Sequence, residues 1–253
     1  MTSPFATKLL GWKLKDKKDP SSDLVPNCAD VDSDTSLQLA AGMLDELGIG
    51  NAQPSAVPES PGSPLEEAVR SYLFARLPEL DGNRSWNVDR NRVIADFAQY
   101  SHLKEIDKWV KKVPALRMDI GTDYLIKPDV TVALTGVPTP DQLPLLHAVV
   151  SCKWTIRSDR VQNVRHEFNR MIRHRRGRQP HLVAVTAEPM PTRLLSIARG
   201  TGEVDAVYHI AFDALGSSVE QHGNSLQKAA WEECVTQQRL LSFDRLAETL
   251  AHW

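Results

Sequence analysis

PLLHAVVSCKWTIRSDRVQNVRHE, residues 144–167, decides how this chain is put together. Its first half, Leu145 to Thr155, is short and rich in β-forming residues. Its second half opens a helix expected from about 159 to 175. Immediately upstream lies a second β-rich run, YLIKPDVTVAL at 124–134, which carries Asp129. Downstream, HLVAVT at 181–186 is bounded by Pro180 and Pro189, a short helix is expected at 192–199, and Val204 to Phe212 is a fourth strand-like run. Two neighbouring strands followed by strands that alternate with helices predict an α/β fold with a mixed central β-sheet flanked by helices.

The flanking segments are simpler. Residues 1–20 form a small basic, partly apolar segment, and 20–36 read as a loop rich in Pro, Ser, Asp and Asn, so 1–36 is expected to be an N-terminal arm and loop. A helix is expected over Leu37 to Leu47, with Ser36 as its N-cap. A second, from about Leu65 to Arg76, places Leu65, Ala68, Val69 and Leu73 on one face. A polar connection at 80–90 leads to a helical region at about 92–112, and the C-terminus, about 225–250, reads as helical. The expectation is one domain over 1–253 with its core sheet and helices at 121–212.

Hydrophobic residues make up 42% and charged residues 25% of the 253, which suits a packed soluble domain. No apolar run is long enough to cross a membrane, and no signal segment is recognisable, so a cytoplasmic protein is expected. Cys28, Cys152 and Cys234 are far apart and form no CxxC pair, which argues against zinc and against a disulfide framework. A formal charge of −2 argues against a protein that coats nucleic acid without sequence preference, because that binding rests on excess Lys and Arg. It leaves room for an enzyme with a local basic cleft and carboxylates gathered for a metal.

Such a gathering is visible. Lys153 follows Asp129 by 24 residues, enough for a hairpin-like return, so adjacent strands would bring a carboxylate and an ammonium to one sheet edge. Glu167 follows 14 residues later on the next helix and could point back to the same place. Carboxylate oxygens suit Mg²⁺, and a lysine beside the metal can help an attacking water and add positive charge near a phosphate. Taken alone this spacing is weak, and a strand-end Asp with a solvated Lys is the plainer reading. Arg157, Asp159 and Arg160 stand at the start of the helix. Arg can pair with guanine O6 and N7, and Asp can accept from cytosine N4, although a capped helix start with a surface salt bridge is commoner. Arg170, Arg173, His174, Arg175, Arg176 and Arg178 form a basic run at the far end of that helix, either a solvated face or a phosphate contact. His147 and His209 read as packed or surface histidines rather than ligands.

The 144–167 string is very similar to the active-site segment of the NgoMIV family of type II restriction endonucleases. So are GTDYLIKPDVTV at 121–132, GRQPHLVAVTAEPMPTR at 177–193 and GTGEVDAVYH at 200–209, and the similarity runs from about residue 27 to about 212. The family belongs to the PD-(D/E)xK nucleases that act on sites with a CCGG core. The resemblance implies Asp129, Glu167 and Glu66 as metal ligands, Lys153 as the catalytic lysine, and Ser151 where related enzymes also carry serine instead of a second acid. It implies Arg157, Asp159 and Arg160 as readers of CCGG, and Asp30 with Arg193 as readers of the outer base pair. The implied reaction is Mg²⁺-dependent cleavage of double-stranded DNA, with Mn²⁺ able to substitute, at GCCGGC after the first G, leaving a four-base 5′ extension. Glu59 stands where a member of the family has a minor-groove glutamine. A carboxylate cannot donate to a base acceptor, so outer specificity could differ there. The stretch between Asp129 and Ser151 is shorter than in a tetrameric relative, which favours a homodimer over a tetramer. A companion DNA methyltransferase in the host is also implied. Two other classes stand beside this reading: a sequence-specific binder that does not cut, which would gain nothing from clustered acids, and a structure-selective repair nuclease, which would have little use for base readers.

Overall fold

In the computed structural model the described residues are 2–113, 118, 124–199 and 202–252, with 158–160 described by backbone alone. Residues 121–123, 200 and 201 of the expected core segment fall outside them. The architecture is a mixed six-stranded sheet with helices packed around it. A short helix α1 (Ala6–Leu9) and an antiparallel pair, β1 (Trp12–Leu14) with β2 (Leu24–Pro26), precede α2 (Asp34–Glu46) and α3 (Gly62–Leu80). The sheet then runs in chain order: β3 (Ser85–Arg90), β4 (Val130–Thr135), β5 (Leu145–Lys153), β6 (His181–Thr186), β7 (Ala206–His209) and β8 (Leu240–Ser242). The pairs β3–β4 and β4–β5 are antiparallel, and β5–β6, β6–β7 and β7–β8 are parallel. Between them lie α4 (His102–Lys112), α5 (Ser158–His174), α6 (Pro191–Ala198), α7 (Phe212–His222) and α8 (Ser225–Thr236), and α9 (Arg245–His252) follows β8.

The centre of the sheet is β5, buried from Leu146 to Cys152. A strand covered on both faces reads as a continuous apolar run, which is why its sequence lacks polar alternation. His147 is the extra residue where the β4–β5 register slips between Val132 and Ala133, a bulge. Its buried ring lies edge-on to Trp86, and Nε2 donates to the Leu250 carbonyl at 2.8 Å. Burial pushes its pKa down to about 4, so it stays neutral and serves packing. His209 is likewise buried and pushed down to about 4 by desolvation.

Several elements differ from the sequence expectation. β3 occupies the segment expected to be a polar connection. It is an edge strand in which only Val88 is fully buried, so its alternation is masked by polar neighbours. The region 92–112 holds two 3-10 turns, Ile94–Asp96 and Ala98–Tyr100, and becomes α-helical only at His102. The expected C-terminal helix is broken by β8, whose three residues are too short to carry a period. β4 begins at Val130 rather than at Tyr124, and α3 runs longer at both ends than 65–76. The first residues dock: Phe5, Ala6, Leu9, Leu10 and Trp12 are buried in the main core, and Ser3 donates its N–H to the Ile210 carbonyl at 2.9 Å. No helix among the described residues is long and apolar enough to cross a membrane.

Candidate active site and nucleic-acid interface

The antiparallel register pairs Val130 with Val150, and one further step sets Asp129 opposite Ser151. Side chains two apart share a face, so Ser151 and Lys153 lie on the same side of β5. The result is a cluster on one carboxylate. Asp129 Oδ2 accepts from Lys153 Nζ at 2.7 Å, from the Cys152 N–H at 2.7 Å and from Ser151 Oγ at 3.4 Å. Both charged side chains are roughly one quarter exposed, so the pair faces outward from a buried base. Cys28, Cys152 and Cys234 are buried free thiols.

Glu167 approaches from α5. That helix buries Val161, Val164, Phe168 and Met171, and Glu167 sits three residues after Val164 at the margin of this stripe. Burial pushes its carboxyl up to about 7, the Asp129 charge adds to the push, and Lys153 opposes it. Two carboxylates that feel each other in a partly dry cleft disfavour the doubly ionised state, and a divalent cation relieves that repulsion. Carboxylate oxygens of this kind suit a hard cation, but among the described residues no three acidic, His or Cys side chains stand together as a ready-made metal cluster. Glu66, on α3, is held by a hydrogen bond from Arg90 Nη2, and Ser63 Oγ accepts from the same nitrogen at 2.9 Å. Arg90 ends β3, paired with Val130, which brings Glu66 beside the Asp129 strand end. Arg90 escaped the sequence reading because its strand did. The neighbouring Glu67 accepts from Ser71 Oγ at 2.9 Å and from Arg90 at 3.2 Å.

The Glu167 shift has a measurable sign. The acid titrates higher in the folded chain than its ordinary 4.5, so the stability it contributes is present at low pH and lost as pH rises from about 4.5 through about 7. Without divalent cations, Glu167→Gln should melt higher than wild type at pH 8, by on the order of 1–2 kcal/mol, and equal to it at pH 4. Identical melts at pH 8 would refute the crowding of the two acids.

A second concavity, of about 510 Å³, is lined by Asp30, Asp32, Ile156, Arg157, Thr192, Arg193 and Ser196. Arg193 Nη2 donates to Asp30 Oδ2 at 2.5 Å, and that bond holds the Asp30 carboxyl below its usual range. Arg157 occupies the N-cap position of α5, without a side-chain capping bond, at the rim of this concavity. Asp159 and Arg160 fall in the first turn of α5, and their side chains lie outside the described residues. The two sites are joined by a short stretch of chain, since β5 ends at Lys153 and Arg157 follows four residues later. Glu59 stands apart from both: it is exposed and ion-paired with Lys17 at 2.9 Å, beside a groove lined by Trp12, Pro58 and Trp154. Sequence reading also passed over Glu188, a buried carboxylate just beyond β6. A charged residue two positions after an apolar strand was its only visible signal.

The chain matches the model of the NgoMIV restriction enzyme family over residues 5–141 and 135–251. This chain belongs to the NgoMIV restriction enzyme family. It is 37% identical over 213 residues to the type II restriction enzyme NgoMIV of Neisseria gonorrhoeae, covering 72% of this chain and 74% of that one. Membership in the NgoMIV family makes it a type II site-specific deoxyribonuclease. Among solved structures it is similar to the restriction endonuclease BsaWI in a pre-specific complex with DNA, at 14% identity and a TM-score of 0.34, over 71% of this chain and 65% of that one. The chain thus spans just under two thirds of that structure's length.

Proposed function

We propose that this NgoMIV-family enzyme hydrolyses double-stranded DNA at a palindromic CCGG-core site, GCCGGC cut after the first G, with Mg²⁺ as its cofactor and Mn²⁺ able to substitute. The observation that carries the reading is the 2.7 Å contact of Lys153 with Asp129 at the end of a central strand, with Glu167 on the helix that follows that strand. Asp129, Glu167 and Glu66 would hold the cation. Such an ion, when bound, lowers the pKa of a water and offsets charge building on the phosphate. Lys153 keeps an ammonium beside that place, where it orients the attacking water and adds positive charge next to the scissile group. Ser151 contributes a hydroxyl to Asp129 and so helps fix the carboxylate.

For recognition, the proposal assigns Arg157, Asp159 and Arg160 to the CCGG core, and Asp30 with Arg193 to the outer pair. Asp30, which Arg193 holds in this structure, offers an acceptor and Arg193 a bidentate donor, together the complement of a C·G pair in the major groove once they turn to the bases. A palindromic site asks for a two-fold symmetric reader, so two copies of the chain are proposed to act together. Arg157→Ala should lower the preference for CCGG over single-base variants by about 10- to 100-fold, measured as the ratio of cleavage rates. An unchanged ratio would remove Arg157 from the readers.

Digestion of a long plasmid set with Mg²⁺, followed by sequencing of the ends, tests the whole. Discrete ends at GCCGGC with four-base 5′ extensions are expected. Discrete ends at another CCGG-containing site would keep the nuclease and point to Glu59 and its surroundings as the altered reader. Specific retention of such sites with no cutting in Mg²⁺ or Mn²⁺ would favour a binding protein instead.

A further inference from the structure

Glu188 has 0% exposure, yet three groups of the recognition face converge on its carboxylate. Oε2 accepts the Ile156 N–H at 2.7 Å, and Ile156 directly precedes Arg157. Oε1 accepts the N–H of Met190, the cap residue of α6, at 3.1 Å. Arg193 Nη1 lies 3.8 Å from Oε1, while its Nη2 holds Asp30. The backbone of Glu188 is itself pinned: its N–H donates to Thr186 Oγ1 at 3.1 Å, and its carbonyl accepts from His209 Nε2 at 3.2 Å. Burying a carboxylate is costly unless its oxygens are bonded, and here the bonds go to the turn before Arg157 and to the start of the helix bearing Arg193.

We propose that Glu188 is a positioning residue for sequence recognition, holding Arg157 and Arg193 in one frame so that the core and the outer base pair are read in register. The inference rests on the reading of Arg157, Arg193 and Asp30 as base readers. It adds a reason for the geometry. When Asp30 turns to a base, Arg193 keeps a second carboxylate as counter-charge, so its guanidinium stays aimed rather than swinging free.

The test compares kcat/KM with Mg²⁺ on duplexes carrying the cognate site, a changed outer pair, or one changed core pair. Glu188→Gln removes the counter-charge and puts a donor where one of two N–H groups needs an acceptor. Both cognate-to-variant ratios are expected to fall by about tenfold or more. A folded Glu188→Gln enzyme that keeps both ratios would overturn the proposal and leave the acid a purely structural role. If Glu188→Gln does not fold, Glu188→Asp, which keeps the charge but withdraws it by one methylene, is judged by the same ratios. Arg193→Ala run in parallel separates the two readings. If it leaves outer-pair discrimination intact, the outer-pair assignment falls, and Glu188 is judged on the CCGG core through Arg157 alone. A wild type without any site preference overturns both.

Discussion

Lys153→Ala is expected to cut DNA about a thousand-fold or more slowly than wild type while still binding its site. The argument starts from geometry. Lys153 is the last residue of a strand buried along most of its length, so its backbone is fixed and its side chain can only lean out at the sheet edge. There its ammonium meets Asp129 at 2.7 Å. Alanine removes the one cation in this contact and leaves the two carboxylates to repel each other and the incoming phosphate. Lys153 stands four residues from Arg157, on the β-strand side of the turn, so the reader concavity keeps its lining. Single-turnover cleavage alongside a gel-shift titration measures the two effects separately. An active variant would remove Lys153 from the mechanism.

The second large effect is expected at Asp129. Asp129→Ala should be inactive by a similar factor, because the carboxylate is both a proposed metal ligand and the acceptor for Lys153, Cys152 and Ser151. Its loss leaves a half-buried ammonium and a backbone N–H without their acceptor, at a cost of about 1–3 kcal/mol per unsatisfied group. Asp129→Asn separates chemistry from folding: it keeps the shape and one acceptor oxygen but lacks the charge a divalent cation needs. Both variants are expected to be silent at ordinary Mg²⁺, with Asp129→Asn melting closer to wild type. Cleavage by Asp129→Asn at the wild-type rate would sink the metal assignment.

Both experiments probe residues whose proximity the spacing suggested only weakly and whose roles the family resemblance implied, and what could be read locally has a physical reason. A strand that crosses the centre of a sheet must be apolar along its length, so Ser151 and Lys153 at the end of LLHAVVSCK stand out against it. A return of 24 residues to Asp129 is short enough that neighbouring strands follow. The mixed sheet was legible for the same reason, since β4, β5, β6 and β7 are each announced by an apolar run between turn residues. The edge strand β3 and the three-residue β8 were not, because strands with little buried surface have little pattern to show.

What the sequence by itself determined, then, was the central sheet, the acids and the lysine at its edge, and the family to which those strings belong. What only the tertiary structure decided were the partnerships between residues far apart in the chain: Arg90 on Glu66, Asp30 on Arg193 across 163 positions, and Glu188 beneath Ile156. The physical reason is that a period in the sequence records which face of an element is buried. A hydrogen bond between two loops leaves no period, and a buried carboxylate announces itself only when the groups that satisfy it have been brought around it.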